Sequence, residues 1–265
     1  MEVSYWQRQG DKPLFPELEW SRPETRALSG KLLIIGGNGY EFKAPANAYG
    51  DALEAGIGVA TVLLPNSMQK IVHDIFPEAE FAPSTPSGSF ARESLAVMLD
   101  LAAPVDGVLL PGDIGRNSET TVLLESLLQK YQGQVTITKE AADVLVRQPL
   151  QLLQRQHTLL VLALGQLRQL GVAAHFPHAF TTEMGLVQLV ESLHEFTQQY
   201  PLAIITRHQD SYAVAVNGKV STTAVQNEEP VWCLNTAVYA AVWWTQNPVK
   251  SFEALTTAVH NLTVG

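Results

Sequence analysis

Short apolar runs separated by amphipathic stretches dominate the chain, and their order predicts alternating strands and helices. Leu32 to Ile35 is apolar without alternation and runs into a glycine cluster, as a strand covered on both faces does. The segments GVATVLLP (58–65), GVLLPGDIG (107–115), QVTIT (134–138), HTLLVLA (157–163) and LAIITR (202–207) read the same way. Between them, helical spacing covers 44–55, 89–103, 118–131 with Ser118 as N-cap, 181–200, 234–246 and 251–264. The first of these helices has alanine at 44, 46, 48, 52 and 55, which suits close packing on a sheet. Residues 211–224 alternate around Asn217-Gly218, the signal of a β-hairpin. Strands alternating with helices imply a three-layer α/β fold, a mainly parallel sheet wrapped on both sides, with the late hairpin as an antiparallel edge. Residues 1–29, broken by Pro13, Pro16 and Pro23, read as an irregular N-terminal arm docked by Trp6, Phe15 and Trp20, and 30–265 as a single α/β domain.

Composition narrows the partners. The chain has 265 residues, 46% hydrophobic and 16% charged, enough to fill a core without a metal or disulfide staple. A net charge of −9 argues against nucleic acid or an anionic membrane as the main partner, because both need clustered Lys and Arg. The one cysteine, Cys233, has no internal disulfide partner and fits a reducing compartment. The opening residues lack the apolar run of a signal peptide, and no stretch is long and apolar enough to span a membrane, so a cytoplasmic protein is expected.

Candidate chemistry gathers where predicted strands end. Gly36, Gly37 and Gly39 stand between a strand and a helix, where glycines admit a ligand and a helix N-terminus favours an anion. The plainer reading is a tight turn. Neither a complete GxGxxG fingerprint nor a P-loop lysine follows. His175 and His178 are split by Pro177 and have no third ligand at a known spacing, so no metal site is expected. Cys233, a lone cysteine beside Trp232 at a helix start, reads as simply buried; the alternative is a reactive thiol, because a helix N-terminus lowers a thiol's pKa.

The run IIGGNGYEFKAPANAYGDALEAGIGVATVLLP resembles the opening of the ADP- or ATP-dependent NAD(P)H-hydrate dehydratases of the ribokinase superfamily. Gly36, Gly37, Tyr40, Ala44, Pro45, Ala48, Gly56 and Gly58 stand in matching places, while Lys43 replaces a glycine. A second segment, VLLPGDIGRNSETTVLLESLL, is similar to that family's Gly-Pro-Gly-Leu-Gly-Arg stretch, with Pro111, Gly112, Gly115 and Arg116 kept and Leu110 in place of the first glycine. The resemblance covers residues 28–264. It implies a ribokinase-like α/β/α fold, a homo-oligomer, and a small-molecule nucleotide or dinucleotide as partner. The ligands it implies are ADP or ATP with Mg²⁺ and an NAD(P)H-type molecule. Gly36, Gly37, Asn38, Tyr40, Pro45, Gly112 and Gly115 would line the retained half of the cleft.

Elsewhere the chain departs from the pattern. In VLALGQ, Gly165 and Gln166 survive but the family's histidine is Ala163. The family's paired acids read Thr138 and Glu140, and a phosphate-contacting Lys-Gly pair reads Thr206-Arg207, leaving Arg207 as a displaced cation. The signature Gly-Thr-Gly-Asp, an anion hole with its base, is replaced by Val231-Trp232-Cys233-Leu234-Asn235 ahead of a helix. Asn235 takes the aspartate's place, and an amide is no general base at neutral pH. Trp232 and Leu234 are expected to crowd the phosphate space. The sequence therefore reads as a pseudoenzyme candidate, a nucleotide-binding relative with weakened or lost catalysis. The alternatives are an active dehydratase (a lyase) using Glu140 as base, a vitamin-precursor kinase, and a structural or regulatory subunit without ligand.

Overall fold

Each central strand divides its apolar residues between two cores. Leu33 and Ile35 join one buried cluster and Leu32 and Ile34 the other; Leu160 and Leu162 oppose Leu159 and Val161 in the same way. With both faces covered, the alternation disappears from the sequence. The structure, a computed structural model, describes residues 3–72, 76, 79–115, 117–225 and 232–264.

The chain opens with β1 (Trp6–Gln9) and α1 (Pro16–Trp20), then β2 (Lys31–Ile35), α2 (Lys43–Glu54), β3 (Val59–Pro65), α3 (Gln69–Val72) and β4 (Ala79–Ala82). Next come α4 (Ser94–Ala102), β5 (Gly107–Leu110), α5 (Ser118–Lys130), β6 (Gln134–Thr138), α6 (Lys139–Leu145), α7 (Leu150–Gln154), β7 (Thr158–Ala163) and α8 (Leu164–Ala173). The last third holds α9 (Leu186–Gln199), β8 (Leu202–His208), β9 (Ser211–Val216), β10 (Lys219–Ala224), α10 (Trp232–Gln246) and α11 (Ser251–Val264). The strands form one sheet in the order β1-β10-β9-β8-β7-β6-β5-β2-β3-β4. Only β9 runs against the rest, pairing antiparallel with β8 and β10. Helices α2, α10 and α11 cover one face; α4, α5, α8 and α9 cover the other. This is the expected mainly parallel three-layer sheet with its late hairpin, whose Asn217 and Gly218 take positive φ of 49° and 78°.

Three expectations need correcting. The hairpin is not the sheet's edge, because β1 pairs in parallel with β10 and covers it. That strand came from the arm read as irregular; four residues pairing with a partner more than 200 positions away leave no local periodicity to read. The cap of α5 is Asn117, whose side chain accepts from the Glu119 N–H at 2.8 Å, rather than Ser118. The short helices α6 and α8 follow strands directly and α7 follows α6, in stretches too brief to show a helical stripe.

The order places a switch point at β2 and β5. From β2 the chain builds outward through β3 and β4, then returns to β5 on the other side of β2. In open α/β sheets the crevice at such a point, beyond the strands' carboxyl ends, is where ligands bind. At the opposite, amino ends of the strands a buried arginine ties the entry of β6 to that of β7. The Arg155 guanidinium donates to Tyr131 O at 2.7 Å, Leu128 O at 3.2 Å, His157 O at 3.1 Å and Thr158 Oγ1 at 2.8 Å. Burial pulls its pKa down to about 10, with Tyr131 acting in the other direction.

Candidate functional site

The loops after β2 and β5 meet in backbone contact. A Cβ on Gly36 would stand 2.7 Å from the carbonyl oxygen of Gly112 and 3.5 Å from Pro45, so only glycine allows this approach. Gly112 has φ of 120° and lies under the Glu140 carboxylate, leaving no room for a side chain. The side chain of Asn38 holds the two loops together: Nδ2 donates to Asp113 O at 2.7 Å, while Oδ1 accepts from the Tyr40 N–H at 3.0 Å. Gly115 sits against Ser89 and Asn38. These glycines make close contacts of the protein with itself. Gly37 is buried beside Leu64, and the Tyr40 ring is 90% exposed at the cleft mouth.

Asp113, which the sequence reading did not single out, is the hub of this half. It is buried and takes φ of 56°, in the left-handed region that few residues other than glycine adopt. Its Oδ2 accepts from the Ala44 N–H at 2.6 Å, and its own N–H donates to Glu140 Oε2 at 3.3 Å. Asp113 therefore ties the β5 loop to the start of α2 and to the β6–α6 turn. The anion expected at this helix N-terminus is already present, and it belongs to the protein.

The other half is built from β6, β7, β8 and α10. Lys139, also missed from sequence, follows β6 with φ of 50°. Its carbonyl accepts from Gln166 Nε2 at 2.9 Å, and the same amide donates to Asp143 Oδ1 at 2.7 Å while Gln166 Oε1 caps the Ala163 N–H at 3.0 Å. Gln166 thus fixes the opening of α8, where Gly165 is exposed with open space around it. Arg207 pairs in register with Ala163, and its guanidinium lies 5.9 Å from the Tyr212 ring. Beside Gly115 and Glu140 a cavity of about 430 Å³ opens between α5 and α6, lined also by Glu125, Asp143 and Arg147.

The first turn of α10 differs from expectation. Trp232, Cys233, Leu234 and Asn235 lie within the helix rather than ahead of it. Leu234 is buried in the core, and Trp232 packs edge-on against Tyr212 at 5.6 Å, so the core and β9 take up both rings and chains that were expected to crowd a phosphate. The Cys233 carbonyl is 3.5 Å from Thr138 Oγ1, which brings α10 onto the end of β6. Burial pushes the Cys233 thiol up to about 12, only partly opposed by Lys139, so it stays protonated, in keeping with the buried cysteine expected rather than with the reactive alternative. Asn235 Oδ1 is buried without a hydrogen-bond partner among the described residues.

Of the other residues singled out, Arg116 and Val231 lie outside the described residues. His178 pairs with Glu195 at 2.9 Å, while His194 stacks on Tyr5 at 3.6 Å.

No protein-family model matches the chain. Over 122 residues, 45% of its length, it is 29% identical to the bifunctional NAD(P)H-hydrate repair enzyme Nnr of Moorella thermoacetica, and the match spans 23% of that enzyme. Two solved structures share the fold at low identity. A ribokinase-like superfamily protein from Enterococcus faecalis V583 superposes with a TM-score of 0.72 at 15% identity, over 99% of this chain and 88% of that one. The ADP/ATP-dependent NAD(P)H-hydrate dehydratase of Bacillus subtilis, co-crystallised with ATP and Mg²⁺, gives 0.64 at 14% identity, over 95% and 87% of the two chains. The chain has the ribokinase-like fold and, over part of its length, a sequence similar to NAD(P)H-hydrate repair enzymes.

Proposed function

We propose that this protein is a nucleotide- or dinucleotide-binding relative of the NAD(P)H-hydrate dehydratases in which catalysis is weakened or lost. The observation that carries this reading is the first turn of α10. There an amide, Asn235, stands where the resemblance calls for a carboxylate base, with its oxygen buried and unpaired among the described residues. Losing a general base costs a factor of roughly 10²–10⁴ in rate. The neighbouring thiol does not replace it, because burial holds Cys233 protonated. Nor does Glu140 stand free, since its Oε2 accepts the Asp113 N–H.

Binding is better provided for than chemistry. Lys139 and Arg207 bring positive charge to the ends of β6 and β8, and between them the start of α8 at Gly165 is open. Such an arrangement suits phosphate oxygens, which helix N-termini and cations both stabilise. Asn235 adds an unsatisfied acceptor that a ligand N–H or hydroxyl could meet. ATP, ADP or an NAD(P)H-type molecule fits this chemistry. Mg²⁺ bound with ATP takes oxygen ligands and keeps several waters, so one or two carboxylates suffice, and Glu140 and Asp143 line the adjoining cavity.

The test is to incubate the protein with NADH hydrate and ATP or ADP and to follow recovery of NADH absorbance beside an active dehydratase. The expected result is no turnover above the blank, together with a rise in Tm on adding nucleotide. Turnover comparable to the active enzyme would overturn the loss of catalysis. A Tm unmoved by every nucleotide tried would overturn the binding reading and leave a structural or regulatory subunit.

A further inference from the structure

The start of α2 is closed to anions from within. A helix offers an anion its first free N–H groups. In α2 the third residue is Pro45, which has no N–H, and the Ala46 N–H is bonded to Phe42 O at 3.1 Å. The Ala44 N–H is taken by Asp113 Oδ2 at 2.6 Å. Lys43 alone is left of the donors that would cradle a phosphate. Asp113 takes φ of 56°, in the left-handed region that aspartate visits more readily than most residues with a Cβ, and its partners fix it there. Three hydrogen bonds hold it: from Ala44, from Asn38 to its carbonyl, and from its own N–H to Glu140.

We infer that Asp113 is a specificity-determining residue. It fills the α2 anion position with the protein's own carboxylate, so that the β2–β5 half of the cleft rejects phosphate and receives the uncharged or cationic part of a ligand. Lys139 and Arg207 lie on the β6–β8 side. A nucleotide therefore enters in one orientation, with its phosphates toward the cations. This inference rests on the reading of the cleft as a ligand site, but its mark is local to one backbone amide.

The experiment titrates inorganic phosphate into the wild-type protein and into Asp113→Gly and Asp113→Asn, following the Ala44 amide resonance by NMR. In the wild type the Ala44 signal stays in place. In Asp113→Gly, which empties the position and suits the positive φ, it moves saturably and phosphate binds at least about fivefold more tightly. Asp113→Asn keeps an acceptor without charge and falls between. A saturable Ala44 shift in the wild type, or an unmoved Ala44 in a folded glycine variant, overturns the inference. Should the glycine variant fail to fold, Asp113→Asn takes its place, and an Ala44 signal that phosphate leaves unmoved there overturns the inference. A parallel ATP titration separates the two readings: ATP that binds nowhere on the wild type sinks the ligand cleft, whereas the Ala44 result stands by itself.

Discussion

The two halves of the cleft are built on opposite principles. Around β2 and β5 the protein satisfies itself: Gly36 touches Gly112, Asn38 and Glu140 bond the Asp113 backbone, and the Asp113 carboxylate caps α2. Around β8 and α10 polar groups lack partners: Asn235 Oδ1 and Thr206 Oγ1 are both buried and unbonded among the described residues. A buried polar atom without a partner costs about 1–3 kcal/mol. Such a cost marks a place where something else is meant to bind, or where an earlier partner was lost. The first half is closed by its own hydrogen bonds and the second keeps two buried oxygens unpaired among the described residues, even though the motif glycines lie almost wholly in the first.

That contrast can be broken by substitution. Gly36→Val drives a side chain into the Gly112 carbonyl, which backbone on both sides cannot yield; unfolding in urea should show a loss of about 3 kcal/mol. Glu140→Ala strips the Asp113 N–H of its acceptor and should cost about 2 kcal/mol, whereas Glu140→Gln keeps an acceptor and stays near wild type. In the open half the sign of the lesson reverses. Asn235→Ala should cost no stability and should raise it by up to about 1–3 kcal/mol, because it removes an oxygen that is buried and unpaired among the described residues, yet it should reduce the Tm rise caused by nucleotide. A large loss of stability there would show that the two halves are not so different.

The smallest effect concerns Cys233. Its folded pKa of about 12 lies above its ordinary 9.0, so between these values the unfolded chain gives up a proton that the folded chain keeps. Stability from this group is complete below pH 9 and declines as pH rises toward 12. Cys233→Ala should lack that portion of the alkaline decline. At neutral pH, iodoacetamide should label the folded protein slower than the unfolded chain by a factor of about 10³, the ratio of thiolate fractions. Equal labelling rates would place the thiol in solvent.

The strand ends were legible because buried strands leave uninterrupted apolar runs; Gln134–Thr138 matches its predicted bounds. The helix 181–200 was legible by its stripe, although it begins only at Leu186. Asp113 and Lys139 were not legible, since what distinguishes them is left-handed backbone and partners contributed by other strands. One signal was available for Asp113. The segment Leu110 to Arg116 is a residue longer than the six-residue motif it resembles, and an acid in such an insertion beside a helix start merits attention. For α10, the sequence could offer the residue types but not that the helix starts early enough to swallow Trp232 and turn Leu234 into the core.

The pairing of β1 with β10 also sets a timetable. The Trp6 indole donates to Thr222 Oγ1 at 3.0 Å, across a separation of 216 residues. At about 5–20 residues per second on a ribosome, the partner of β1 is made roughly 10–40 seconds after β1 itself. Through that interval Trp6–Gln9 has no sheet to join, and once β10 appears its outer edge stays open until β1 arrives. Late docking of a strand with such distant contacts is slow, and an open edge invites pairing with other chains. Strand β1 is thus made long before the partner it pairs with, and the open β10 edge is where misassembly threatens until β1 docks.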